Sequence, residues 1–330
     1  MDNIDTILFF VAVGLALSYA FANGLNDAAN ALATVVGTRV LSPAAAVILG
    51  GSMNLVGAVT GTAVAKTIGK GIVDPNYMTQ AAVIAAILAA VVWVVFATRF
   101  GFPVSVSHSL VAGVMGAGIA TAGFSRINDT VVIKVILALG FSPILGFTAA
   151  FVLMLILYWL FRNWNLSNAN KLFSKLQILS AAFLSYSHGK NDAQNAIGIM
   201  ALGWAVYSSQ DVIVLPWMQI SCGLAIGVGT ALGGWRVINT LGSRVTKLNP
   251  ASGFIANTAA AGVIEAASQI GLPVSTTHTS SSAIMGVGVT HGILAVRWNV
   301  IKGILGAWVI TYPICAVLGW ILAKILGIIF

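Results

Sequence analysis

Gly24-Leu25-Asn26-Asp27-Ala28-Ala29-Asn30-Ala31 returns as Gly189-Lys190-Asn191-Asp192-Ala193-Gln194-Asn195-Ala196, 165 positions later. A second polar element also recurs. Pro103-Val104-Ser105-Val106-Ser107-His108 comes back as Pro273-Val274-Ser275-Thr276-Thr277-His278, 170 positions on, and each copy runs into Met-Gly-x-Gly at Met115 and Met285. Weaker echoes at the second offset are Gly57/Gly227, Thr60/Thr230 and Lys66/Arg236. The offset therefore changes between Ala196 and Ile226, and the polar loop Tyr207–Asp211 is the natural place for it. Self-similarity at this scale reads as two structural repeats, residues 1–165 and 166–330. A duplicated structural bundle would repeat apolar residues. Here the repeated residues are polar, which suits a transporter with its site between the repeats.

Outward from these motifs the chain is apolar. It has 16 Lys and Arg and 8 Asp and Glu in 330 residues, 7% charged against 58% hydrophobic. Soluble domains carry about 25% charged residues. With a mean hydropathy of +0.97, a free soluble protein is excluded. Ala44–Ala65, Ala81–Thr98, Val131–Phe161 and Gly303–Ala323 read as membrane spans. The expected fold is an all-α polytopic membrane protein. The net charge of +8 is not a nucleic-acid signal, because the cations sit at segment ends and are not interleaved with stacking aromatics. Cys222 and Cys315 lie in apolar segments without disulfide or metal spacing. The start Met1-Asp2-Asn3-Ile4-Asp5 lacks the positive flank of a signal peptide, so the first apolar stretch is expected to stay. Arg162, Lys171 and Lys175, with no acid among them, place the junction on the cytoplasmic side and the Asp2/Asp5 terminus outside.

Each half is expected to break its first apolar helix at Gly-x-Asn-Asp. Ser105–Thr121 and Ser275–His291 are barely long enough to span and begin with polar residues. They read as re-entrant hairpins with tips lining a cavity, where non-helical backbone is tolerated at depth. Val131–Phe161 and Gly303–Ala323, kinked at Pro143 and Pro313, suit a scaffold or dimer contact.

A carboxylate at membrane depth is a functional signal. Helix capping would account for Asn26-Asp27 and Asn191-Asp192, but not for Asn30 and Asn195, one turn further on the same face. Carboxylate and amide oxygens together form a hard-oxygen site suited to Na⁺. Ser105, Ser107 and Ser109, with Ser275, Thr276, Thr277, Thr279 and Ser280, put hydroxyls and free N–H groups at helix starts. Such starts make an anion cradle. The bland alternative is that these hydroxyls satisfy their own backbone. His108 and His278 match each other, either as packing residues or as anion donors or a gate. Lys190 stands opposite Leu25, to snorkel or to balance Asp192, and Glu265, the only glutamate, stands opposite Val95. The Gly-x-x-x-Gly spacings Gly57/Gly61, Gly223/Gly227 and Gly229/Gly233 indicate close helix packing.

On these four motifs, in this order, essentially the whole chain resembles the PiT family of inorganic phosphate transporters. The resemblance implies inverted repeats with broken helices, and secondary phosphate uptake across the cytoplasmic membrane coupled to Na⁺ or H⁺. It further implies a homodimer and one central site where both motif types meet. Phosphate would then bind at Asn26, Asp27, Ser105, Val106, Ser107, Asn191, Asp192, Ser275, Thr276 and Thr277. Sodium would bind at Asn26, Asp27, Asn30, Ser107, Asn191, Asp192, Asn195 and Thr277; His108, His278, Asn54 and Asn257 are further possible site residues. No cofactor beyond the coupling ions is called for. One departure bears on the cations: Asn54 and Asn257 stand where many relatives carry acids.

Asp27 and Asp192 put two negative charges beside a site for another anion, and at about 5 Å each unit pair repels by roughly 3 kcal/mol at an effective dielectric of about 20. Phosphate should bind poorly until cations neutralise them, and the coupling is reciprocal. Asn54 and Asn257 cannot titrate, which favours Na⁺ over H⁺ as the driving ion. Proton-coupled or metal-phosphate symport, sulfate transport and a histidine-lined channel are the alternatives. An intramembrane hydrolase is disfavoured, since one nucleophile needs one base, not a duplicated set.

Overall fold

The computed structural model describes residues 3–330, so Asp2 and its expected outward placement lie outside the described residues. Among the described residues the fold is all-α, with one isolated antiparallel bridge between Val73 and Ile127. The first half holds α1 (Asn3–Gly37), α2 (Pro43–Ala58), α3 (Ala63–Gly71), α4 (Gln80–Phe100), α5 (Val106–Ala122) and α6 (Asp129–Phe161). The second holds α7 (Leu166–Ser208), α8 (Pro216–Leu232), α9 (Trp235–Asn239), α10 (Pro250–Gln269), α11 (Thr276–Val289) and α12 (Trp298–Ile329). Four helices among the described residues are long and apolar enough to cross a membrane: residues 4–37, 80–100, 129–161 and 298–329. The number rises to six if each bent pair is one span. The chain is a multi-pass membrane protein.

The helix breaks do not fall where the sequence suggested. α1 and α7 run unbroken through Asn26-Asp27 and Asn191-Asp192. The reason is chemical. A capping side chain would bond its own backbone, whereas these bond distant elements and leave the alanine-rich backbone free to continue its helix. The breaks lie instead between α2 and α3, bent by 67°, and between α8 and the segment from α9 to Arg244, bent by 60°. The short segments expected at Ser105–Thr121 and Ser275–His291 form α5 and α11, each folded back on the helix before it as a hairpin, α4–α5 and α10–α11. Each reverses at a glycine in the left-handed region, Gly101 (φ 75°) and Gly271 (φ 72°), which a side chain would strain. Pro143 lies within an otherwise continuous α6, where the Ser142 hydroxyl donates to the Leu139 carbonyl that proline leaves without its N–H (2.8 Å).

Much of the packing runs across the two halves, alongside contacts within each such as α7 on α10 and α1 on α4. α1 lies on α8, α2 on α7, α5 on α12 and α11 on α6. One buried core joins Tyr19, Ile87 and Leu110 to Ile197 and Ile226, and the other joins Leu32 and Met154 to Leu184, Ile284 and Trp308. The glycine of each Gly-x-Asn-Asp element marks a crossing, not a break. Gly24 lies against the backbone at Ile226 and Thr230, and Gly189 against the backbone at Asn54.

Candidate functional site

Each long helix ties both hairpins together. Asn26 donates to Thr98 Oγ1 (2.8 Å) and to the Phe102 carbonyl (3.3 Å) at the first tip. Asn191 repeats this at the second tip, to Ser268 Oγ (2.9 Å) and the Leu272 carbonyl (3.3 Å). One turn on, the second asparagines reach across. Asn30 donates to Thr276 and Thr277 of the second hairpin (3.4 and 3.3 Å), and Asn195 to Ser107 of the first (2.8 Å). The four amide nitrogens are thus spent on positioning. Their oxygens, with that of Asn23, are buried and accept no hydrogen bond from the described residues.

The carboxylates meet between these asparagines. Asp27 and Asp192 are 2% and 1% exposed. Thr277 donates to Asp27 Oδ1 (2.8 Å), and the Thr276 hydroxyl lies 3.2 Å from Asp27 Oδ2 and 3.1 Å from Asp192 Oδ2. Asn23 donates to Asp192 Oδ2 (3.3 Å), while Asp192 Oδ1 has no partner among the described residues. The arrangement is lopsided because Val106, the counterpart of Thr276, has no hydroxyl. The Val106 carbonyl instead accepts from Tyr19 (3.0 Å). Ser105 and Ser275 cap α5 and α11, each accepting from a histidine N–H three residues on (3.2 and 3.1 Å). The first N–H groups of both helices therefore open at this level, beside Ser107 and Thr277.

A residue outside the predicted set stands at the centre. His188 Nε2 lies 3.6 Å from Asp27 Oδ2 and 3.5 Å from Asp192 Oδ2, and the three ligand atoms fall within 4.8 Å of one another. Its Nδ1 bonds Asn54 Oδ1 (2.7 Å), and the Asn54 amide donates to Thr230 Oγ1 (2.8 Å). An amide oxygen only accepts, so Nδ1 carries a proton and Nε2 faces two carboxylates. Three Lewis bases converge on one point. Positive charge satisfies this arrangement, either a proton held among the three groups or a metal ion between them. Two unit charges within 4.8 Å of each other repel by about 3.5 kcal/mol or more at an effective dielectric of about 20. The sequence signal for His188 was positional: it precedes Gly189 as Asn23 precedes Gly24.

Asn257 stays one step away, accepting from Thr34 of α1 (2.9 Å). Lys190 pairs with Glu265 (2.5 Å), so it does not balance Asp192. The rings of His108 and His278 pack together against α12, away from the carboxylates.

Comparison with known proteins agrees with this chemistry. Residues 23–319 match the family described as "Phosphate transporter family". A "Probable low-affinity inorganic phosphate transporter" of Bacillus subtilis (strain 168) is 45% identical, over 99% of this chain and all of that protein. A protein of the same description from Rhizobium meliloti (strain 1021) is 43% identical, over 95% of this chain and 96% of that one. A solved structure, "The sodium-dependent phosphate transporter", superposes with a TM-score of 0.91 at 28% identity, covering 98% of this chain and all of that one. These relatives are transporters, not enzymes. By the match along nearly its whole length, the chain belongs to the phosphate transporter family.

Proposed function

We propose that this chain moves inorganic phosphate across the cytoplasmic membrane together with Na⁺, by alternating access between two inverted repeats assembled as a homodimer. Phosphate transport follows from the family. The sodium reading is carried by one observation: Asp27, Asp192 and His188 Nε2 converge within 4.8 Å, and the buried side-chain oxygens of Asn23, Asn26, Asn30, Asn191 and Asn195 on the same two helices accept nothing from the described residues. Hard oxygens at this density suit Na⁺. The solved relative, whose description names sodium dependence, is consistent with it.

In this reading Na⁺ enters among Asp27, Asp192 and the oxygens of Asn26, Asn30, Asn191 and Asn195, with Ser107 and Thr277 alongside. Its charge cancels the repulsion that an incoming anion would meet. Phosphate then takes the N–H groups and hydroxyls of the two hairpin tips, from Ser105 to Ser107 and from Ser275 to Thr277. The helix starts and their dipoles favour negative charge there. Na⁺ raises phosphate affinity, and phosphate raises Na⁺ affinity by the same factor. Asn26 and Asn30 fasten the two tips to α1, and Asn195 and Asn191 fasten them to α7, so movement of either long helix is felt at both tips.

A second reading rests on His188, whose Nε2 is placed to hold a proton between the carboxylates. The two separate cleanly in proteoliposomes. Uptake of phosphate is expected to persist when the pH gradient is collapsed and to stop when choline replaces Na⁺. Phosphate accumulation in Na⁺-free vesicles under an inward proton gradient alone would assign the coupling to H⁺.

The tips give a further expected result. Ser105→Ala removes a hydroxyl that caps α5 and keeps its own hydrogen for the anion, and Thr277→Ala removes one that donates to Asp27 Oδ1 and turns to phosphate once a cation takes that carboxylate. Loss of a hydrogen bond to a charged group is worth about 1.5–3 kcal/mol, a weakening of phosphate affinity by roughly ten- to a hundred-fold. Thr277→Ser keeps the hydroxyl and should stay near the parent value. Concentration-dependent uptake measures all three, and unchanged affinity in both alanine proteins would leave anion binding to the backbone alone.

A further inference from the structure

The two hairpins are held in unequal ways, and the second is bound through charge. Thr277 and Thr276 reach Asp27, and Thr276 also reaches Asp192. Three residues before Ser268, Glu265 of α10 pairs with Lys190 of α7 (2.5 Å), and Gln269 donates to the same Glu265 oxygen (2.7 Å). The Lys190 and Glu265 side chains are 11% and 20% exposed. On the same helix, the Gln194 side-chain oxygen accepts from the N–H groups of Val64 and Ala65 (2.8 and 3.1 Å), so α7 also caps the start of α3. Thr67 of α3 in turn donates to the Gly271 carbonyl at the hairpin turn (2.7 Å). α7, α3 and the α10–α11 hairpin are thus one linked body.

The matching places of the first half hold other residues. Leu25 stands for Lys190, Val95 for Glu265 and Ala29 for Gln194. Among the described residues, no side chain of the first hairpin bonds either aspartate. Its ties to α1 and α7 are neutral: Asn26 to Thr98 and the Phe102 carbonyl, Asn195 to Ser107, and Tyr19 to the Val106 carbonyl. Its link to a cation, from Arg236 to the Arg99 carbonyl, leads to α9, as does that from Thr240 to the Gly101 carbonyl (3.2 Å). α9 itself lies beyond the 60° bend that follows α8, at Gly233 (φ 67°).

This difference bears on which hairpin moves. Parting α10 from α7 leaves an ammonium and a carboxylate largely buried and unpaired, which is strongly penalised. Parting Val95 from Leu25 exchanges apolar contact for lipid, which is as apolar as they are. Water can take over the neutral hydrogen bonds of the first tip at small cost. We propose that Lys190, Glu265 and Gln194 are positioning residues of transport. They keep the second hairpin and α3 fixed to α7, with Thr276 and Thr277 held at the aspartates, and the site is opened by the first hairpin moving together with α9. The identity of the moving hairpin rests on the alternating-access reading, but the positioning of the threonines does not.

The first test separates positioning from stability. Replacing a buried ion pair by apolar residues of similar volume often leaves stability unchanged or raised, so a Lys190→Met/Glu265→Leu protein should melt like the parent. Its half-saturation for phosphate should nevertheless rise about tenfold, and the rise in melting temperature given by Na⁺ with phosphate should shrink. The second test uses proteins with Cys222→Ala and Cys315→Ala that carry one introduced cysteine pair each. Lys190→Cys/Glu265→Cys should show the same raised half-saturation, and a reducible bis-methanethiosulfonate linker across the pair should restore it. Leu25→Cys/Val95→Cys should take up phosphate normally until linked, stop when linked, and resume on reduction. Parental half-saturation in either the apolar protein or the unlinked Lys190→Cys/Glu265→Cys protein overturns the positioning role. Uptake that survives linkage at positions 25 and 95, or that stops on linkage at 190 and 265, overturns the moving first hairpin. If the apolar protein fails to fold, the cysteine pair at 190 and 265 decides alone. A parent that is stabilised by Na⁺ and phosphate but takes up none counts against the transport reading alone.

Discussion

Asp27→Asn and Asp192→Asn proteins are expected to fold, to reach the membrane, and to lose Na⁺-stimulated phosphate uptake almost completely. The two carboxylates sit with the His188 imidazole inside 4.8 Å, buried from solvent. Removing one charge takes away the principal attraction for a cation. Deleting one partner of a buried charge pair costs about 3–5 kcal/mol, which is roughly two to three and a half powers of ten in affinity. The same change relieves repulsion between the aspartates, so stability in Na⁺-free buffer should hold or rise. Two measurements together are decisive. Na⁺ should raise the melting temperature of the parent protein by mass action, and this rise should vanish in either variant along with uptake. Parental Na⁺-stimulated uptake in either variant removes that aspartate from the cation site.

The duplicated motifs made the aspartates, the second asparagines and the hairpin tips readable from sequence. Polar residues are costly inside apolar segments, and a costly residue that occurs in both halves marks a site. Duplication also hid things. His188 has Asn23 as its counterpart, so a search for matched pairs passes over both, although the structure puts one between the carboxylates and the other on Asp192. The Lys190–Glu265 pair joins two unduplicated residues 75 positions apart, and no local pattern announces it. The break expected at Gly-x-Asn-Asp failed for a physical reason. Short polar side chains suit helix starts only if their own backbone is what they bond, and here the partners are tertiary. The fold class and the hairpins were legible. The position of the helix bends, at residues 59–62 and 233–234, was not.

Gly24→Ala and Gly189→Ala should be the most damaging changes that add a single methyl group. A Cβ at Gly24 would come to 2.9 Å from the Thr230 nitrogen and closer still to the Ile226 carbonyl, and one at Gly189 to 2.7 Å from Asn54 Cα. These are backbone atoms of a crossing helix and cannot rotate away. α1 must part from α8, or α7 from α2. Overpacking of this kind costs about 1–3 kcal/mol and sometimes more. The damage also reaches the site, since Thr230 holds Asn54 and Asn54 holds His188. Both variants are expected to melt at lower temperature, with lower folded yield and little uptake. Gly14→Ala is the control, because nothing lies within 4 Å of its Cβ position and alanine favours the helix. If Gly24→Ala and Gly189→Ala match it in melting and uptake, the close-crossing account is wrong.

The exchange of partners between the repeats governs how the chain matures during synthesis. When only the first 165 residues have left the ribosome, Gly24 has no α8 to lie against, and Asp27 lacks Thr276 and Thr277. The nascent first half holds a carboxylate and several amides at membrane depth with their tertiary partners not yet made. It cannot set into its final arrangement early. The contacts that close the polar centre can form only once α8, and then α11, are delivered, near the end of translation. A chain truncated before Thr276 would present that unfinished centre to the quality-control proteases of the membrane.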